Sequence, residues 1–240
     1  MIHTIPSNKR YHTDAGWLNA RWHFSFGDYH DPANVSFGPL RVFNDDVVEP
    51  GTGFDMHPHR DMEIVTYVID GELEHRDHLG SRGLLQPGDV QVMSAGTGIT
   101  HSEKNPSKTT PVHLNQIWIM PRHRGNEPRY DQKAFSAESR LNRLLPIVSS
   151  TEDAGNANTL KIDQDATLYV STLEPGKMLE HPVAPGRRAY LFVIRGAGVS
   201  VNGTPVNAGD QARVTEESKL TIESALGGKK STDLILIDLP

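Results

Sequence analysis

The chain has 240 residues, 36% of them hydrophobic and 22% charged, with a net charge of -6 at neutral pH. That length holds one large β domain or two small ones, either with a real core, and the acidic balance disfavours nonspecific adhesion to nucleic acid or anionic lipid. No cysteine is present, so disulfides and thiolate metal sites are excluded and any bound metal must take nitrogen and oxygen ligands.

In chain order, short runs rich in Val, Ile, Leu, Tyr and Trp recur between Gly, Pro, Asn and Asp clusters. They predict strands at 40–48, 64–69, 90–93 and 114–120 in the first half. The second half offers 168–173, 190–194, 199–201, 220–222 and 234–237. Helices are few, and 132–144 is the best candidate. Many short strands with frequent turns predict an all-β fold of closed barrels or sandwiches.

An internal repeat appears once the glycines are aligned. EIVTYVIDGELEHRDHLGSRGLLQPGDVQVM is followed later by RAYLFVIRGAGVSVNGTPVNAGDQARV. Each copy has an apolar strand ending at a glycine (Gly71, Gly196), a hairpin, and a Gly-Asp pair (Gly88-Asp89, Gly209-Asp210) that opens another strand. Asn202-Gly203 is a strong two-residue hairpin signal, because both positions tolerate positive φ. The expected organisation is two barrels in tandem, 1–135 and 136–240. The polar, small stretch 149–158 forms part of the connection, and the final strand could pair with either barrel.

Side chains at i and i+2 of a strand share a face. His57-Pro58-His59 therefore aims two imidazoles one way, and His101-Ser102-Glu103 does the same with an imidazole and a carboxylate. Pro58 suits an edge or strand start, where no ladder donor is needed. A lone His-x-His pair reads equally as two partly exposed histidines. Two such pairs in one barrel would assemble a four-ligand pocket for a divalent metal.

The segment from Gly51 through His57, His59 and Glu63 to Gly71 resembles the first cupin motif, and GDVQVMSAGTGITHSEKN resembles the second. HPHRDMEIVTYVIDGELEHRD, MSAGTGITHSE and the upstream GWLNARWHFSFGDYHDP resemble, more closely, the pirin family of bicupins. The likeness runs unbroken over most of the first 130 residues; only the general barrel pattern supports the second half. The resemblance implies two tandem antiparallel β-barrels (double-stranded β-helix) with few short helices, the first metal-binding and the second lacking ligands. Ser94 replaces the usual proline before the second-motif glycine, and His101 lies two residues further along than in generic cupins. Pirins share this arrangement, which implies Glu103 as the carboxylate ligand. Generic cupins would point to Glu63, which also sits at even spacing from His59. Glu103 is favoured because its nearness to His101 fixes it on that strand face, leaving Glu63 to pack or hydrogen-bond at the barrel wall.

Counting from the repeat glycines sets Pro182 and Ala184 opposite His57 and His59, and Ile222 and Ser224 opposite His101 and Glu103. No ligand set arises there, and His181 reads as an ordinary loop histidine. His75 and His78 flank a hairpin and read as solvent-facing. His23 reads as a buried, hydrogen-bonded histidine rather than a residue of the site mouth. Gln116, Trp118 and Met120 share a face and either line the barrel or serve as plain core.

Three imidazoles and a carboxylate suit one divalent transition metal. Iron(II) is the expected ion, with Mn, Co, Ni, Cu and Zn compatible, and open coordination positions remain for water, O₂ or substrate. The resemblance implies a quercetin-type flavonol dioxygenase that opens the O-heterocycle with O₂. Glu103 would act as both ligand and base, and a small aromatic enol or flavonol would be the substrate. Two rival readings stand beside it. One is a metal-dependent regulator that binds protein partners without turnover; the other is a structural bicupin with a sealed ion. No apolar run approaches the roughly 20 residues a bilayer span needs, and the opening MIHTIPSNKRYHTDAG lacks a secretory signal's apolar stretch. A cytoplasmic monomer without direct nucleic-acid or membrane contacts is the expectation.

Overall fold

The structure, a computed structural model, describes residues 1–153, 155, 158–225, 227 and 229–240. Its regular elements among those residues are 22 strands and two 3₁₀ turns, Ser7–Lys9 and Glu138–Arg140. No helix among them is long and apolar enough to cross a membrane.

The chain divides into two compact units. The first holds Tyr11–Phe135 with Leu160–Gln164, and the second holds Met1–Arg10, Ser136–Thr159 and Asp165–Pro240. The chain changes unit near 135, and 1–10 and 160–164 each sit with the other half. The reason for the first exchange is a sheet edge: Ile2–Ile5 pairs with Gln211–Thr215 in the second unit. In the first unit the equivalent edge, Asp89–Ser94, is covered by Arg129–Ala134. Of the predicted connection 149–158, Ser149 and Ser150 end the strand Leu145–Ser150, and Ala154, Asn156 and Ala157 lie outside the described residues.

The two units repeat one topology. The first has a four-stranded sheet ordered Gly53–His59, Ile99–Lys104, Leu73–Asp77, Arg82–Leu85. The second has Met178–Pro182, Lys219–Ser224, Val199–Val201, Thr204–Val206 in the matching order. The larger sheets correspond likewise: Asp89–Ser94, Glu63–Asp70, Val112–Ile119, Leu40–Val48 in one, and Gln211–Thr215, Arg188–Arg195, Thr232–Leu239, Thr167–Leu173 in the other. Paired strands run antiparallel, and the last strand, Thr232–Leu239, pairs within the second unit on both sides. This is a bicupin.

The repeat glycines have a shared steric cause. A Cβ on Gly71 (φ +81°) would lie 2.4 Å from the carbonyl oxygen of Pro111, and one on Gly196 (φ +114°) 2.2 Å from that of Ser231. Each glycine lets the end of one strand pass directly against the start of its neighbour. Asn202 and Gly203, at φ 46° and 82°, make the predicted tight hairpin.

The predicted helix 132–144 is corrected. Residues 129–134 form a strand on the edge of Asp89–Ser94, Phe135 is buried, and only Glu138–Arg140 makes a helical turn. Tertiary pairing overrides the mild helix preference of Gln132, Lys133 and Ala134.

The interiors differ. In the second unit an apolar cluster includes Leu179, Leu191, Val201, Leu220, Ile222 and Leu236. In the first unit, two apolar clusters are separate, one around Val48, Val68, Leu73 and Leu114 and one around Ile64, Met93 and Ile99. Among the buried side chains of that unit are Asn44, Asp46, Thr66, His75, Gln91, His101, Glu103 and Gln116. Burying polar groups in a core costs free energy unless each finds a partner, so this band sets the first interior apart from an ordinary apolar core.

Candidate metal centre

The strands Gly53–His59 and Ile99–Lys104 bring the first ligand candidates together. His57 pairs directly with His101, and His59 with Ile99. The register then shifts: His101 to Glu103 spans two residues, while the partner strand runs from His57 to Phe54. The extra residue is a β-bulge, which re-aims side chains at a sheet edge. Asp55 and Met56 are thrown out to solvent, so Phe54 joins His57 and His59 on the inner face.

Ligand-capable atoms of His57, His59 and His101 lie within 4.8 Å of one another. Ring centroids are 4.5 Å apart for His57 and His101, 4.8 Å for His57 and His59, and 4.9 Å for His59 and His101. His57 Nδ1 lies 2.7 Å from the Asp55 carbonyl oxygen and donates to it, which leaves its Nε2 lone pair free. His101 Nε2 is buried with no hydrogen-bond partner among the described residues.

Glu103 meets His101 in a second group of three that contains His75 in place of His57 and His59. Its Oε1 accepts from Gln91 Nε2 at 2.6 Å and lies 3.2 Å from the Thr66 hydroxyl. Its Oε2 accepts from Gln116 Nε2 at 2.7 Å. The Gln91 carbonyl oxygen lies 3.2 Å from the Tyr130 hydroxyl, an arrangement that turns the Gln91 amide nitrogen toward Glu103.

Glu63 lies elsewhere. Thr66 faces the site and Glu63 is an odd number of residues away, so the pleat turns it to the opposite face. There it is buried and accepts from Ser94 Oγ at 2.6 Å.

His75 corrects the sequence expectation of a solvent-facing residue. It is fully buried, its Nδ1 is 3.4 Å from His101 Nδ1, and its Nε2 is 3.5 Å from Asp77 Oδ2. Tyr130 stacks on it at 4.2 Å. Period-2 alternation from the buried Leu73 would have found it, since Leu73, His75 and Asp77 share the inward face. His78 is exposed, and its Nδ1 accepts from the Thr100 amide. His23 is buried and stacked on Phe43 at 4.7 Å.

The electrostatics favour neutral imidazoles and a cation. Burial, with the neighbouring His101 and His57, lowers the pKa of His59 to about 3. Burial, with His57 and His75, lowers His101 to about 3. Burial raises the Glu103 carboxyl above its ordinary range, against the hydrogen bonds it receives. Clustered neutral nitrogen lone pairs beside a carboxylate are the donor set a divalent transition metal takes. The unpartnered His101 Nε2 is the atom such an ion would satisfy.

A cavity of about 210 Å³ lies against this cluster. His57, His59 and Glu103 form one wall, and Trp22, Phe26, Phe54 and Trp118 supply aromatic faces. Gln116 and Trp118 thus line the barrel, whereas Met120 is exposed. The sealed site expected of a purely structural ion is not what surrounds these histidines.

In the second unit the matching register corrects the count from the glycines. Leu179 pairs with Ile222, the counterpart of His101, and His181 pairs with Leu220, the counterpart of Ile99. Leu179 and His181, not Pro182 and Ala184, therefore stand where His57 and His59 do. His181 is a buried strand residue, 2.8 Å from Asp238 Oδ2. The error arose from counting through a loop that differs in length between the copies.

Residues 5–119 match the family model described as Pirin, and residues 147–239 match the quercetinase C-terminal cupin domain. The chain is 42% identical to a quercetin 2,3-dioxygenase of Escherichia coli (strain K12), covering 100% of this chain and 99% of that one. It is 41% identical to a pirin-like protein of Caulobacter vibrioides, over 99% of each. Among solved structures, the bacterial pirin YhhW of Escherichia coli in complex with nickel(II) superposes with a TM-score of 0.91 at 40% identity, over 100% of this chain and 99% of that one. With both halves matched and the likeness running the length of the chain, this protein belongs to the pirin family.

Proposed function

We propose that the protein is a metal-dependent dioxygenase of flavonols of the quercetin type, with His57, His59, His101 and Glu103 holding one divalent transition metal. The observation that carries this reading is the cluster of three imidazoles, His101 with a buried, unpartnered Nε2 among the described residues, beside an aromatic-walled cavity that His57 and His59 line. The name of the Escherichia coli relative supports the substrate class. The nickel in YhhW supports a divalent ion in this fold, with iron(II) the ion proposed for this chain.

The metal, when bound, supplies Lewis acidity that stabilises negative charge on a substrate oxygen. The chain's own groups do the rest. Trp22, Phe26, Phe54 and Trp118 hold a planar ring system and exclude water from it. Thr66, Gln91 and Gln116 fix the Glu103 carboxylate from behind. Among the described residues Gln116 is the one donor on its Oε2, and the remaining lone pair there, when not taken by the ion, would accept the proton of the substrate's enolic hydroxyl. The overall reaction consumes one flavonol and one O₂, opens the heterocycle and releases carbon monoxide.

Reconstitution with Fe, Mn, Co, Ni or Cu, followed by measurement of quercetin loss and carbon monoxide release, tests the reading. We expect stoichiometric carbon monoxide with at least one ion. His57→Ala should lose metal and turnover together, and Glu103→Gln should lower kcat by about 10²-fold or more. No flavonol consumption with any ion would overturn it.

A further inference from the structure

The strand Leu40–Val48 sends Leu40, Val42, Asn44, Asp46 and Val48 inward, a row that is apolar except at two adjacent positions. Asn44 is 4% exposed and Asp46 3% exposed, and both line the cavity beside His57, His59 and Glu103. Asn44 pairs across the sheet with Trp22 and Gln116, and Asp46 with Ala20 and Leu114. Among the described residues none answers them: Asn44 Oδ1 and Asp46 Oδ1 are both buried without a hydrogen-bond partner. The contrast with Glu103, whose two oxygens both have donors within the barrel, is sharp. A folded protein rarely leaves two such atoms side by side for structural reasons, because satisfied or apolar groups would be more stable there.

We propose that Asn44 and Asp46 form a recognition site for a phenolic hydroxyl of the aromatic ligand, distinct from the hydroxyl that reaches the metal. This rests on the flavonol reading above and adds a specificity to it. A phenol is the group that fits both partners. It donates its proton to the Asn44 carbonyl oxygen and accepts from the Asp46 carboxyl. Burial first, then the charges of Asp45 and Glu103, push the Asp46 carboxyl well above its ordinary range, which favours the protonated form that can donate. A ring without a hydroxyl would leave both groups buried and unpaired, which penalises the wrong ligand more than a missing apolar contact does.

The test uses the full chain loaded with zinc under exclusion of O₂, so that binding is read without turnover. Dissociation constants are measured by absorbance titration for quercetin and for 3-hydroxyflavone. The second keeps the ring system and the hydroxyl–ketone pair but lacks the other ring hydroxyls. We expect the wild type to bind quercetin at least tenfold more tightly. Asp46→Leu should weaken quercetin at least tenfold and 3-hydroxyflavone by much less, collapsing the preference, with an unfolding temperature equal to or above that of the wild type. Asn44→Leu should give the same collapse and decides the matter if Asp46→Leu does not fold. A preference that survives in a folded variant, or a wild type that binds both compounds equally, overturns this inference and leaves the flavonol reading standing. A wild type that binds neither compound overturns both.

Discussion

His75 lies behind the cavity wall and contacts His101. The spacing 101 Nδ1 to 75 Nδ1 to 77 Oδ2 defines a chain: His101 donates to His75, and His75 donates to Asp77. Asp77 is anchored in turn, since its Oδ1 accepts from the Leu79 and Ser81 amides. Read in this direction the protons leave His101 Nε2 bare, the tautomer a metal requires. His75→Phe would keep the stack on Tyr130 while removing the acceptor for His101. Metal affinity, measured by chelator competition, should fall about 10- to 100-fold with one ion still bound at saturation; unchanged affinity would mean that His101 needs no such support. The four ligand candidates were legible because each lies two residues from another on a short strand, a pattern that needs no tertiary knowledge. His75 was not legible in that way. A histidine beside a turn looks solvated until the strand Leu73–Asp77 is paired on both sides. Asn44 and Asp46 were hidden for a related reason, since polar residues on a strand default to the outer face and only the register of Leu40–Val48 turns them inward.

At the level of single elements, the site depends on a bulge that the sequence does not announce. Three residues of Gly53–His59 span the distance of two on Ile99–Lys104, and Lys104 Nζ pins the ejected Asp55 at 2.6 Å. Gly53 starts this strand at φ +143°, and a Cβ there would meet the Glu103 carbonyl oxygen at 2.3 Å and Lys104 Cα at 2.7 Å. Gly53→Ala must therefore push the two strands apart at the residue that carries the carboxylate. The expected cost is about 1–3 kcal/mol, read from urea unfolding of the metal-free protein, together with weaker metal binding. A variant as stable as the wild type, with metal affinity intact, would show that the close approach is not needed. Strand existence and the tight hairpin at Asn202-Gly203 were readable, because alternation and positive φ are local properties. The helix expected at 132–144 and the counterparts of His57 and His59 were misplaced, because edge pairing and loop length are not.

Across the whole molecule, one topology is used twice with opposite interiors. In the second unit Leu179 and Ile222 occupy the positions of His57 and His101, and His181 is tied to Asp238. The Leu179–Ile222 cluster is apolar, so its burial stabilises that interior. The first unit instead interrupts its core with a polar band, where burial and the neighbouring imidazoles lower the pKa of His59 and His101. An ion that binds only the folded state stabilises it by RT ln(1 + [L]/Kd), about 2.7 kcal/mol at a hundredfold excess over Kd. Because the donors all belong to the first unit, that gain should be local. Hydrogen exchange with and without metal should show slower exchange in Gly53–His59, Leu73–Asp77 and Ile99–Lys104. Arg188–Arg195 and Thr232–Leu239 should exchange at the same rate in both states. Equal slowing in both units would mean that they unfold as one cooperative body, and that the ion's contribution reaches well past the barrel that holds it.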